Sequence, residues 1–190
     1  SLTAFGNTVP TSFLRLVPHQ EAPTAICWGD RNRSVLVRVP LGWQNIDDSM
    51  FRDANPAEPP IDELPNDSQT VELRSPDGSA AVHLLLAGIA VAARIGLTEP
   101  GMADYARERK VDGDASQTPD LDQLPGSCFE AAGRLLTQRE DYEAKGVFPA
   151  GLIDSWASHL VALGDMHLRD DLADSRISVE ELVERYFHIG

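Results

Sequence analysis

The sequence predicts an α+β fold, with short antiparallel strands in residues 1–77 and a helical half over 78–190. Three observations predict it. TAICW (24–28) and VLVRV (35–39) are short apolar runs rich in β-branched residues, separated by polar DRNRS. TVELRSPDG (70–78) is a third such run, ended by a Pro-Asp-Gly turn. Beyond it the apolar spacing becomes helical, and Ser-x-x-Glu starts recur at Ser127/Glu130 and Ser178/Glu181.

Taken in order, TAICW and VLVRV read as a hairpin around DRNRS. Period-2 alternation places Val35, Val37 and Val39 on one face, and Leu36, Arg38 and Pro40 on the other. Residues 41–70 are rich in proline and acid and carry neither period, as expected of an inserted or functional loop. Glu72 and Arg74 share one face of the third strand, opposite Val71 and Leu73. Ser79 to Ile95 is apolar nearly all round, which predicts a buried helix closed by Gly96. GMADYARERK reads as a charged helix, and VDGDASQTPDLDQ as a solvated acidic loop. SCFEAAGRLLTQREDYEAKG is a helix closing at Gly146, residues 150–163 an amphipathic helix, and SVEELVERYF the last. Two or three strands leave open edges beside this many helices, so other strands are expected to complete the sheet.

The chain has 190 residues, of which 42% are apolar and 6% aromatic, enough for one aliphatic core. Its formal net charge is -14. That balance argues against general nucleic-acid binding and anionic membrane surfaces. Residues 1–40 run the other way, with Arg15, Arg31, Arg33 and Arg38 against only Glu21 and Asp30. Arginine's planar fork suits carboxylate and phosphate, so a small anion clamped here competes with ordinary surface pairing. Cys27 and Cys128 lack zinc or redox spacing and read as reduced, which favours the cytoplasm. The start lacks the pattern of a signal peptide, and Val82 to Leu97 falls short of a membrane span.

No Walker glycine loop, GxSxG or HExxH occurs, and the five histidines show no ligand spacing. Arg15, Arg33, Arg38 and Arg74 together could hold a phosphate and a carboxylate at once. Glu72 would then serve a metal such as Mg²⁺ bridging phosphates, although one carboxylate is too few for such a site.

These residues carry a resemblance. AFGNTVPTSFLRLVPHQEAPTAICWGDRNRSVLVRVP resembles the catalytic-domain pattern AF-x-NP…SY-x-RLVPG-x-EAP…RNRS…R-x-P of glutamine synthetases. VELRSPDGSA resembles their second signature, E-V-R-F-P-D-x-SAN, and LPGSCFEAAGRLL…GVFPAGLID their C-terminal helical region. The resemblance runs through essentially the whole chain, as the C-terminal portion of that catalytic domain.

The resemblance implies an ATP-dependent glutamate–ammonia ligase, acting through γ-glutamyl phosphate with Mg²⁺ or Mn²⁺. It implies that Arg15 and Arg74 hold glutamate, and that Glu21 is the flap acid that helps take a proton from ammonium. Arg33 would touch both substrate and the transferring phosphate, Arg38 the ATP phosphates, and Glu72 a metal. It also implies a ring-shaped homo-oligomer whose sites form between subunits. Departures stand beside it. The family's N-terminal domain and most metal ligands have no counterpart here, so the chain alone is expected to be inactive. SAN-P becomes SAAV (79–82), NDSQ (66–69) replaces basic residues, and Tyr105 is a weak match for an adenylylation tyrosine. Two alternatives remain: a non-catalytic assembly or regulatory module, and a ligase of glutamate to another amine.

Overall fold

The computed structural model describes residues 1–18, 22–40, 53–57 and 70–188. Its core is organised around Phe5, which is fully buried in the single-turn helix α1 (Thr3–Gly6). The ring stacks on Phe148 at 5.4 Å between centroids and meets Tyr142 edge-on at 5.5 Å. Such pairs add to the apolar area each ring buries. Trp156 closes the cluster, its indole N–H donating to the Ala4 carbonyl at 2.8 Å. The second helix, α2 (Pro10–Leu14), starts on a proline whose fixed φ suits a first helical position.

Three short strands form one mixed sheet among the described residues: β1 (Trp28–Asp30), β2 (Val37–Val39) and β3 (Glu72–Leu73), in the order β1-β2-β3. β2 pairs antiparallel with β3, as expected. β1 and β2 are parallel, which corrects the hairpin reading. The reason lies in DRNRS. Asn32 donates to the carbonyls of Val111 and Gly113 while its Oδ1 accepts from the backbone and hydroxyl of Ser34. That anchor draws the connection away from β1 instead of folding it back as a tight turn. Arg31 takes a left-handed φ of 54° to enter it.

The acidic tract is also more than a solvated loop. Trp28 donates its backbone N–H to Arg109 and accepts from Val111, and Ile26 and Thr24 exchange bonds with Asp122 and Leu124. Val111 and Ala115 are buried with Ala25, Cys27 and Val35 in a small second core. Part of the pairing the strands need therefore comes from 109–124.

The long helix α3 (Val82–Thr98) carries a second correction. Only Leu85, Gly88 and Val91 are buried, so one face packs and the opposite face is bare. Gly88 lets it approach α1, since a Cβ there would sit 3.2 Å from the buried Phe5 ring. Gly96 does not close the helix; the left-handed glycine is Gly101 (φ 82°), and α4 (Met102–Glu108) follows at 106° to α3.

Helix α5 (Cys128–Thr137) packs on α7 (Leu152–Ala162) through Ala131, Leu135, Ile153 and Leu160, all fully buried. Between them lie α6 (Arg139–Glu143) and a 3₁₀ turn, Ala144–Gly146, with Gly146 left-handed as its position predicts. α8 (Leu168–Ala173) and α9 (Val179–Tyr186) complete the chain. The Ser178/Glu181 capping box is fully formed. At α5, Ser127 accepts from Glu130 as expected, but Glu130 reaches Gly126 instead of Ser127. The α+β class stands. The predicted 41–70 insertion lies outside the described residues, except for 53–57 and Thr70, which are exposed.

Candidate functional site

β2 and β3 bring three of the expected residues together. Arg38 stands directly across from Glu72 in the antiparallel register. Its Nη2 lies 2.6 Å from Glu72 Oε2, and Arg74 Nε lies 3.5 Å from the other oxygen, Oε1. One carboxylate is thus flanked by two guanidinium groups. Both arginines are largely withdrawn from solvent, at 21% and 13% exposed, so the cluster sits against the sheet and is not a flexible surface pair. Among the described residues the Arg38 Nε makes no hydrogen bond although it is buried. A donor left this way is a place for an incoming oxygen.

Arg15 joins the cluster through the backbone. Its Nη2 donates to the carbonyl of Ser75 at 2.5 Å and to Pro76 at 3.3 Å. Asn7, fully buried, donates to that same Ser75 carbonyl at 2.7 Å. Thr8 bonds both the hydroxyl and the carbonyl of Ser79, and Asp77 accepts from the backbone and hydroxyl of Ser79. The segments 3–15 and 74–81 are therefore laced together, and this lacing sets the distance between Arg15 and Arg74. Sequence reasoning missed Asn7, Thr8, Asp77 and Ser79. The available signal was Asn7 and Thr8 within an otherwise apolar run; Asp77 and Ser79 lie in a polar turn that gave none.

Arg33 lies elsewhere. It lines an open cleft of about 430 Å³ with Asp30, Asn32, Asp112 and Asp114, at the end of the sheet where the 31–36 connection turns. The charge there is mixed. Lys110, beside the cleft, is held above its ordinary range by the hydrogen bond it donates to Asp30 and by the nearby Asp112. Glu21 falls outside the described residues. The structure thus groups Arg15, Arg38, Glu72 and Arg74, and sets Arg33 in an adjoining cleft.

A divalent cation does not fit the described residues by themselves. Glu72 is already paired with two arginines, and among the described residues no group of three His, Cys, Asp or Glu could hold an ion. Neither cysteine is poised for chemistry. Both are free and buried, and burial pushes each thiol up, most strongly at Cys128, where Asp165 adds to the effect.

Residues 1–160 match the family model described as glutamine synthetase, catalytic domain. The chain belongs to the glutamine synthetase family. It is 34% identical to the glutamine synthetase of Pyrococcus abyssi and 31% identical to that of Thermococcus kodakarensis, each alignment covering 100% of this chain and 39% of the relative. The Mycobacterium bovis glutamine synthetase is 30% identical over 83% of this chain and 29% of its own length. The chain thus spans about two fifths of the archaeal glutamine synthetases it matches.

Proposed function

We propose that this chain carries the glutamate- and phosphate-binding arginines of an ATP-dependent glutamate–ammonia ligase. The observation that carries the reading is the Arg38–Glu72–Arg74 cluster, with Arg15 tied to the residue that follows it. Arg15 and Arg74 hold the substrate glutamate, Arg38 the ATP phosphates, and Arg33 reaches both from the cleft. Glu72 contributes one ligand to a metal whose other ligands lie outside this chain. Glu21 serves as the flap acid.

In the reaction, an oxygen of the glutamate side-chain carboxylate attacks the γ-phosphorus of ATP. ADP leaves, and γ-glutamyl phosphate forms. Ammonia then attacks the acyl carbon, phosphate leaves, and the amine's extra proton passes to a base. The guanidinium groups neutralise charge that grows on the transferring phosphoryl oxygens, where positioning and electrostatics supply most of the catalysis. Closing over the acyl phosphate keeps it from water.

The lone carboxylate favours a second reading, in which the chain is a non-catalytic module that captures a full-length ligase. One measurement separates them. The native polypeptide's intact mass is expected to lie well above 20.7 kDa; a native mass of 20.7 kDa would favour the module. Arginine side-chain NMR tests the ligand assignments directly. Millimolar glutamate should shift the Arg15 and Arg74 signals, and ATP that of Arg38. Arg169, which donates to the Phe13 carbonyl at 2.6 Å, should stay put. Shifts confined to Arg169, or absent from all four, would overturn the assignments. The isolated chain should form no glutamine.

A further inference from the structure

Arg169 ties the C-terminal helices to the segment that carries Arg15. It stands in α8, beyond the residues 1–160 that match the family model. Its Nη2 donates to the carbonyl of Phe13 at 2.6 Å and lies 3.4 Å from that of Leu16. The two carbonyls bracket Arg15, the residue that ends α2. The last carbonyls of a helix lack partners within it, and a cationic side chain satisfies them. Phe13 and Leu16 are themselves buried, whereas Arg15 is exposed. The backbone is thus pinned on either side of Arg15, while its guanidinium reaches the carbonyls of Ser75 and Pro76. α8 is fixed in turn. Asp165, three residues before it, accepts the first two N–H groups of α5, and Leu172 lines an apolar groove with Thr11 and Leu14.

We propose that Arg169 is a positioning residue for Arg15: it fixes the end of α2, and with it the root from which the Arg15 side chain extends toward the substrate. Its consequence for glutamate rests on the reading that Arg15 holds that ligand. Both acceptors are backbone carbonyls, so the contact acts on the course of the chain and not on a side chain that can turn away. The donor is charged, and such hydrogen bonds are stronger than neutral ones. A small shift at the root of a long side chain grows toward its tip, and a misplacement of about 1 Å is enough to spoil an oriented contact. Arg38 is an internal control. It stands on β2 and is held by Glu72, so its placement does not depend on the end of α2.

The test is arginine side-chain NMR of the whole chain carrying Arg169→Met, which keeps an apolar stem and removes the donors. Before any ligand is added, the Arg15 signal should move and that of Arg38 should not. Titration with glutamate should then give a Kd about 10-fold weaker than that of the unsubstituted chain, as expected for loss of a charge-assisted bond. Titration with ATP, followed at Arg38, should give an unchanged Kd. Arg169→Lys, which keeps a cationic donor without the planar fork, should recover most of the glutamate affinity. A residue that only stabilised the fold would lower the urea midpoint and weaken both ligands together, and that result would overturn the proposal. So would an Arg15 signal that is the same with and without Arg169. If the unsubstituted chain binds no glutamate and the Arg15 signal still responds to Arg169→Met, the glutamate assignment falls and the positioning role stands.

Discussion

The helical half and the strand half of this molecule are built to different standards of self-sufficiency. In the helical half, α5 and α7 bury Leu135, Ile153 and Leu160 completely, and Tyr142, Phe148 and Trp156 interlock beside them around Phe5, which residues 1–77 contribute. The strand half has a separate core of five small or medium side chains, Ala25, Cys27, Val35, Val111 and Ala115. Yet the strand half carries the arginines. Arg33 and Arg38 are therefore mounted beside the weaker core, anchored by Asn32, while Arg15 and Arg74 adjoin Phe13, Leu16 and Leu73 of the larger core and are laced to it by Asn7 and Ser79. Such a frame suits a site meant to be completed by other elements.

The largest test of this contrast is Phe5→Ala. It should cost about 3–5 kcal/mol, because it empties the centre of an aromatic cluster. Urea denaturation followed by Trp156 fluorescence would read it, and both halves should be lost together. Next comes Asp165→Asn. The Asp165 carboxylate is 6% exposed and accepts the first two backbone N–H groups of α5 at 2.7 and 3.1 Å. Losing a charged acceptor at a helix N-terminus should cost about 2 kcal/mol in the same assay.

Val35→Ala is the counterpart in the strand half. Removing two buried methyl groups should cost about 1–2 kcal/mol. If the contrast holds, the loss appears as local opening of β1 and β2, with little change in the global midpoint. A midpoint shift as large as that of Phe5→Ala would break the comparison. The smallest effect is at acid pH. A hydrogen bond from Arg139 holds Asp154 below the ordinary carboxylate range. Its contribution is fully present above the usual Asp value of about 3.9 and fades as pH falls through the depressed folded-state value. The acid limb of the stability curve should therefore be slightly shallower in Asp154→Asn.

Much of this was legible in the sequence, and the failures share a cause. The α+β class, the positions of β2 and β3 and the Ser178 capping box depend on neighbours within a few residues, and they were readable, whereas β1 lies at Trp28–Asp30 and meets the expected 24–28 run only at Trp28. The shared face of Glu72 and Arg74 followed from strand alternation. Its direct pairing with Arg38 did not, because register depends on a segment more than thirty residues away. The parallel course of β1 and β2 was illegible for the same reason: it is set by Asn32 reaching carbonyls about eighty residues on. α3 shows another limit. Its apolarity says that it should be covered, but composition does not say by which chain.

Native-state hydrogen exchange of the isolated chain tests the central contrast most directly. Amides of α5 and α7 should exchange only through global unfolding. Those of β1, β2 and β3 should open locally, about 100-fold faster or more. Equal protection across both halves would contradict the account, because the site would then rest on a frame as complete as the helical core.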